Sequence, residues 1–104
     1  MRFHELKCVK ESFEAIRSGE KTCEFRRDDR EGGYQVGDVL VLRCGLSASN
    51  AQGFVYAGHV LPETVRIKHV VRGPDFGIPE GFAMLSIERV RFELVDPHLS
   101  EVRP

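Results

Sequence analysis

The chain has 104 residues, enough for one hydrophobic core but not for two domains. Apolar residues make up 41% of the sequence and charged residues 30%, which favours a packed domain over a disordered chain. The formal net charge of −1 excludes a global basic field, so any nucleic-acid binding would depend on a local patch. Neither a membrane span nor the apolar core of a signal peptide is found, so we expect a cytoplasmic protein with one domain over 1–104, its core over 3–95 and a loosely held tail over 96–104.

The first part of the chain predicts a strand, a helix and a second strand. Residues 3–8 form the first predicted strand. The next apolar positions are spaced i, i+4 and i+7, which is one face of a short helix over residues 9–18. Gly19 is a natural stop because glycine accepts a left-handed conformation. Residues 22–27 then form the second predicted strand.

The rest of the chain predicts further strands separated by glycine-rich loops. The predicted strands are 39–44, 54–61, 65–71, 82–87 and 90–95. The predicted loops are 28–37, 45–53 and 73–81. The continuous apolar run at 39–44 predicts burial on both faces. One helix and about six strands predict a small α+β, mainly β, barrel, which avoids exposed edges by closing on itself.

The cysteines and histidines do not predict a metal site, and no cofactor is expected. The three cysteines are widely spaced, and no two of the four histidines have helical i, i+4 spacing. Cys8 and Cys44 lie among apolar residues and are expected in the core. Cys23 alternates in phase with Phe25, which favours a core position for both, although nearby cations could also make Cys23 nucleophilic.

Ionisable residues are concentrated just after the predicted helix. Lys21, Glu24 and Arg26 follow Gly19 with the spacing Gly-x-Lys-x-x-Glu-x-Arg. A strand over 22–27 would put Glu24 and Arg26 on one face, and Lys21, in the preceding turn, could swing to the same side. These groups could form a surface ion network, or together hold an anion, a nucleobase or an acyl transition state.

This spacing resembles the signature of the ASCH family, a branch of the PUA-like superfamily. Further segments that resemble the family are His4-Glu5-Leu6-Lys7, Phe13 through Gly19, Val36-Gly37-Asp38-Val39-Leu40, Phe76-Gly77 with Gly81-Phe82, and Met84-Leu85-Ser86-Ile87. The resemblance covers roughly residues 3 to 89. It implies a PUA-like pseudo-barrel of about six strands with one short N-terminal helix.

The resemblance implies binding of RNA, or of a nucleotide-like ligand, in a cleft on the barrel. The residues expected to contact this ligand are Lys7, Lys21, Glu24, Arg26, Arg27 and Arg30. Among them, Glu24 would accept hydrogen bonds from an amino group on a base.

Three further candidates each have a structural alternative. His4 could donate a hydrogen bond near Lys21, or be satisfied at the start of a strand. Asp28 could line the entrance of the site, or cap a solvated turn. Phe76 could stack on a base, although a core anchor for its loop is favoured. Asp38 is expected to have a structural role in a turn.

Two other functions remain open. Some ASCH relatives hydrolyse the amide of an acylated cytidine with the motif lysine, a threonine three residues later and a glutamate from a later strand. Lys21 matches that lysine, but Glu24 stands where the threonine would be, so a hydrolase would use Lys21 as a base that is paired with Glu24 and activates water. The candidates for the distant acid are Glu63, Glu80 and Glu88. A non-catalytic interaction protein is the third alternative.

Overall fold

The fold is mainly β, with one short helix on a curled, half-barrel sheet. A computed structural model describes residues 1–47, 54–56 and 58–90. Its elements are β1 (Phe3–Val9), α1 (Lys10–Ser18), β2 (Cys23–Arg27), β3 (Val39–Ser47), β4 (Phe54–Tyr56), β5 (Glu63–Arg72), a 3-10 turn (Asp75–Gly77) and β6 (Phe82–Arg89). The prediction of a mainly β domain with a short helix is confirmed.

In the described part of the chain all six strands belong to one sheet, and five of them follow the order β1-β3-β5-β6-β2. β1 runs parallel to β3, and the pairs β3–β5, β5–β6 and β6–β2 are antiparallel. The short strand β4 pairs with the last residues of β3. This order makes β1 and β2 the two ends of the curled sheet, and it brings two strands close in sequence to opposite edges.

The core lies on the inner face of the sheet and beneath α1. Phe13 and Ile16 of the helix are each 1% exposed, and the helix packs against β1, β3 and β5. Burial of each of these side chains stabilises the fold by about 1.5–3 kcal/mol. The core members from the strands and the loop before β3 are Leu6, Cys8, Tyr34, Leu40, Leu42, Cys44, Val65, Ile67, Ala83, Leu85 and Ile87.

The end of α1 fixes where β2 begins. Gly19 has φ 85°, and its N–H donates to the carbonyl of Ile16. The Lys21 N–H donates to the carbonyl of Ala15 at 3.0 Å. The predicted helix stop at Gly19 is therefore confirmed, and the same turn anchors the backbone of Lys21 to the helix.

The structure corrects the predicted orientation of β2. Its residues alternate as expected, but Glu24 is 3% exposed while Phe25 is 46% exposed and Cys23 is exposed. The prediction that Cys23 and Phe25 face the core is wrong. Two cations neutralise the Glu24 carboxylate, which lets the charged face of the strand turn inward. Phe25 instead stacks on Phe82, with ring centroids 5.2 Å apart.

Three other predictions on strands need correction. One face of β3 is buried, at Leu40, Leu42 and Cys44. On the other face Val39 is buried but Arg43 is exposed, so the prediction of burial on both faces fails towards the end of the strand. That strand also extends to Ser47, into the predicted loop over 45–53. In the predicted strand over 54–61, only Phe54–Tyr56 is β and residues 58–60 form a turn. Most of the predicted strand over 90–95, and the predicted tail, lie outside the described residues.

Candidate functional site

The two edge strands of the sheet and the start of α1 frame the candidate site. Within the described residues, β1 pairs only with β3, and β2 pairs only with β6. Lys21 is held at the end of α1 by its backbone, and Ser12 lies one turn into the same helix. The sheet therefore brings its two edges to the same side of the molecule as the first turn of the helix.

Glu24 is the centre of this site. Its Oε1 accepts a hydrogen bond from Lys21 Nζ at 3.0 Å, and its Oε2 accepts one from Arg26 Nε at 2.7 Å. The Glu24 side chain is 4% exposed, whereas those of Lys21 and Arg26 are 32% and 22% exposed. The carboxylate is thus enclosed, and the two cations that it holds reach solvent. The sequence-based prediction that these three residues lie together is confirmed.

The structure adds Ser12 to this group and places Cys8 beside it. Lys21 Nζ also donates to the Ser12 hydroxyl, which lies 3.5 Å from Glu24 Oε1. Burial, together with the negative charge of Glu24, raises the pKa of the Cys8 thiol, which therefore stays protonated at neutral pH. We refer to Ser12, Lys21, Glu24 and Arg26 as the carboxylate cluster. No local spacing in the sequence connects Ser12 with Glu24, because the contact depends on how the helix packs.

Two arginines link the edges of the sheet. Arg26 Nη2 donates to the carbonyl of Lys7 at 2.8 Å, and Arg30 Nη2 lies 3.5 Å from the carbonyl of Glu5. Both carbonyls belong to β1, and alternate residues of a strand direct these groups to the same side. Lys7 itself has an exposed side chain on β1. Side chains, rather than a ladder of backbone hydrogen bonds, therefore connect β2 to β1.

Arg27 lies on the other face of β2. Its guanidinium is 5.2 Å from the centroid of the Phe82 ring. Of the six predicted contact residues, Arg27 and Lys7 thus lie on the outer side of the sheet, because Lys7 alternates with the buried Leu6 and Cys8 on β1.

His4 and Asp38 form a separate buried pair. His4 Nε2 is 3.0 Å from Asp38 Oδ2, and its ring meets that of Tyr34 edge-on, with centroids 5.0 Å apart. Burial opposes the charge of Asp38, but hydrogen bonds from His4 and the amides of Arg2 and Gln35 outweigh it and hold the pKa of that carboxyl below its usual range. His4 lies four residues from Cys8, about 13 Å along β1. His4 and Asp38 therefore satisfy each other's polar groups, as the structural interpretation of each residue predicts.

Asp28 joins loops rather than pointing into the carboxylate cluster. Its Oδ1 accepts from the Tyr34 N–H at 3.0 Å, and its Oδ2 accepts from Arg72 Nε at 2.9 Å. These contacts tie the chain after β2 to the end of β5.

Phe76 is at the tip of the turn between β5 and β6. It is 93% exposed, so the favoured prediction that it anchors the loop in the core is wrong. Its φ of 53° lies in the left-handed region, which aromatic residues seldom occupy. The backbone turns here in a way that points the ring into solvent.

The three glutamates considered as the distant acid of a hydrolase lie away from the carboxylate cluster. Glu63 is buried between Arg17 Nε at 2.9 Å and Arg89 Nε at 2.7 Å. Glu88 pairs with Lys68 at 3.5 Å on the outer face, and Glu80 is exposed. Within the described residues, Glu24 is the carboxylate that Lys21 contacts.

Neither a metal site nor a membrane-spanning helix is found in the described part of the chain. Over residues 1–47, 54–56 and 58–90, no group of three or more His, Cys, Asp or Glu side chains is arranged to hold an ion. No helix in the same ranges is long and apolar enough to cross a bilayer.

Comparison with known proteins identifies a family. No curated protein matches the chain. The model of a family described as a domain of unknown function, DUF3850, matches residues 3–87, so the chain belongs to the DUF3850 family.

Proposed function

We propose that this domain binds RNA, or a nucleotide-like ligand, across the carboxylate cluster. The observation that carries the proposal is the arrangement of Lys21 and Arg26, which are held by an enclosed carboxylate but remain partly exposed. Cations fixed in this way lose little side-chain entropy when they meet a phosphate. The resemblance to the ASCH family, and with it a PUA-like pseudo-barrel of about six strands, is part of the same proposal.

Other cations extend this surface along the edge of the sheet. Arg30 lies near the carbonyl of Glu5, and Lys7 is exposed on the outer face of the same edge strand, β1. These residues would supply the local positive patch that a chain of net charge −1 needs for phosphate contacts.

Glu24 has a different role from the one expected from the sequence. Its two oxygens already accept hydrogen bonds from Lys21 and Arg26. We therefore assign it to the positioning of these cations, rather than to a direct contact with a base. Loss of Glu24 would then weaken binding by releasing Lys21 and Arg26.

Fluorescence anisotropy of a labelled short single-stranded RNA tests this proposal. Wild type should bind with an affinity that falls as salt rises. Lys21→Ala/Arg26→Ala should lose binding because it removes two phosphate contacts, and each contact removed lowers the salt slope by about one. Arg66→Ala/Lys68→Ala is the matched control, since it removes two cations that pair with Glu88 on the outer face. It should bind like wild type.

A second variant distinguishes loss of RNA binding from loss of folding. Removal of Lys21 and Arg26 leaves Glu24 without its partners, so circular dichroism must show that the double variant is folded. Arg30→Ala, with weaker contacts at 3.4 Å and 3.5 Å, should fold normally and bind with a reduced salt slope. Absence of binding by wild type at low salt, or equal binding by the site and control variants, would refute the proposal.

The contact between Lys21 and Ser12 favours a second candidate function. A hydroxyl next to a lysine amine is an arrangement found in acyl-transfer enzymes. Ser12 would supply the hydroxyl that is missing where Glu24 replaces the threonine of the ASCH hydrolases, and the substrate would be an acylated nucleoside. RNA or nucleotide binding is preferred, because Lys21 Nζ already donates to both Ser12 and Glu24.

Release of free nucleoside from an acylated cytidine, followed by chromatography, tests the second candidate. Turnover should disappear in Ser12→Ala, while binding of the substrate persists. Ser18→Ala is a control, because Ser18 lies at the other end of the helix, where its hydroxyl donates to the Ala15 carbonyl. No turnover by wild type would exclude this substrate class.

A further inference from the structure

A cavity of about 260 Å³ opens on the other side of Lys21. It lies between the end of α1 and the strands β5 and β6. Its floor is apolar and consists of Ile16, Val65 and Ile87, each of which is at most 6% exposed. Lys21 and the exposed Thr22 lie at its border. Lys21 is thus shared between the carboxylate cluster and this cavity.

We infer that this cavity receives one base of the bound nucleic-acid chain. The inference rests on the proposed function, and it adds a base-binding position to the phosphate-binding cations. An apolar floor suits the face of an aromatic ring, whereas a phosphate would lose its hydration there without gaining a partner. The volume is below that of pockets for drug-sized ligands, so it suits a single ring system rather than a whole nucleotide.

The charges around the cavity also favour a neutral group. Arg89 borders the cavity, but its guanidinium is engaged by Glu63 at 2.7 Å and by the Arg17 carbonyl at 2.8 Å. Glu88 borders the cavity as well, but its carboxylate pairs with Arg66 and Lys68 on the outer face, so it adds no partner for a phosphate. Thr22 offers a hydroxyl that can donate to or accept from the polar edge of a base.

The position of the cavity fits the path proposed for the backbone of the ligand. Arg26 lies four residues beyond Thr22, about 13 Å further along β2. A chain that follows this edge would place phosphates at Lys21 and Arg26 while one base turns into the cavity. Stacking or apolar contact with a single base tolerates sequence changes, so the site would bind many sequences.

Two labelled oligonucleotides separate this inference from the proposed function. One is a short single-stranded RNA, and the other is the same sugar–phosphate chain with abasic residues. Wild type should bind the RNA about tenfold more tightly than the abasic chain, which is the usual scale for one base contact. Equal affinity for the two chains would overturn the inference and leave the proposed function intact. Failure of wild type to bind either chain would refute the proposed function, and this inference with it.

A variant that fills the cavity gives an independent test. Ile87→Phe adds volume at the floor and should weaken RNA binding about tenfold, while binding of the abasic chain stays unchanged. Val71→Phe is the matched control, because Val71 pairs with Met84 in β5–β6 and does not line the cavity. It should leave both affinities unchanged. If Ile87→Phe is folded and binds RNA like wild type, the base does not enter this cavity. If Ile87→Phe does not fold, the affinities of wild type for the two oligonucleotides decide whether the cavity receives a base.

Discussion

The Glu24 carboxylate, whose side chain is 4% exposed, lies between Lys21 Nζ at 3.0 Å and Arg26 Nε at 2.7 Å. Glu24→Gln removes the charge but keeps the size of the side chain, so it leaves two partly buried cations without a counter-charge. Loss of one partner from a fully buried ion pair costs about 3–5 kcal/mol. Because Lys21 and Arg26 are partly solvated, we expect the free energy of unfolding in urea to fall by about 2–3 kcal/mol.

Glu14→Gln provides the control for this prediction. Glu14 is 63% exposed, and its nearest cation, Lys10, is 3.9 Å away within the helix. Removal of the Glu14 charge should change the free energy of unfolding by less than about 0.5 kcal/mol. Equal effects of the two substitutions would show that the Glu24 ion pairs do not stabilise the fold.

Asp38 should make the stability of the protein depend on acidic pH. Its folded-state pKa is lowered, because hydrogen bonds from His4, Arg2 and Gln35 outweigh the effect of burial. An unfolded aspartate titrates near pH 3.9, so the stabilisation is fully present above that pH and is lost as the pH falls through the lower folded-state pKa. Urea unfolding from pH 7 down to pH 2 should show this loss.

Asp38→Asn separates this contribution from those of the other carboxylates. The variant should lose about 2 kcal/mol at neutral pH, on the scale of hydrogen bonds to a charged group. Its stability should also fall less steeply than that of wild type below about pH 4. Parallel pH profiles for wild type and Asp38→Asn would contradict the assignment.

At the scale of elements, the turn between β5 and β6 contains a strained residue. Phe76 has φ 53° and is 93% exposed, so it occupies an unfavourable backbone region without gaining core contacts. Phe76→Gly removes that strain, at the expense of a more flexible unfolded chain. The net result should be a gain of about 0.5–1 kcal/mol in the free energy of unfolding.

Phe76→Ala is the matched control, because it removes the same ring but keeps a Cβ. Strain at φ 53° persists with alanine, so this variant should be no more stable than wild type. Equal gains for glycine and alanine would mean that the ring, rather than the backbone, determines the effect. Equal binding of RNA by Phe76→Ala and wild type would remove Phe76 from the ligand site.

The elements also show how far the sequence predicts the structure. Helix spacing and Gly19 predict α1 and its end, because both are local properties of the chain. The alternation of β2 is predicted as well, but not which face is buried. Burial normally favours Phe25 over Glu24, and only the partners of Glu24 reverse that preference. Such a reversal depends on side-chain contacts that cannot be read from the sequence.

At the scale of the whole molecule, local sequence patterns do not predict the order of the strands in the sheet. β1 and β2 are separated by one short helix in the sequence, yet they are opposite ends of the path β1-β3-β5-β6-β2. That order depends on pairings between distant segments, such as Phe3 with Val39. The motif residues Lys21, Glu24 and Arg26 are predictable because they are neighbours in sequence. Ser12 and the cavity floor require the assembled sheet and helix.

The curled sheet makes one further prediction, on how its edges are held together. Arg26 Nη2 donates to the Lys7 carbonyl at 2.8 Å, while Nε of the same guanidinium donates to Glu24. Arg26→Lys keeps the positive charge, but an ammonium on a flexible stem does not reproduce the fixed two-point geometry of a guanidinium. One linkage between β2 and β1 is therefore lost. The free energy of unfolding should fall by about 1–1.5 kcal/mol, and amide hydrogen exchange in β2 should become faster.

Arg27→Lys tests whether the predicted loss of stability depends on the position of Arg26, rather than on the loss of any arginine from β2. Arg27 is the next residue of β2, but it lies on the outer face over the Phe82 ring. Its substitution keeps the charge and does not involve β1, so the stability should change by less than about 0.5 kcal/mol. If Arg26→Lys and Arg27→Lys have the same effect on exchange in β2, then Arg26 does not hold the two edges together. A larger effect of Arg26→Lys would show that the Arg26 side chain joins the two ends of the sheet.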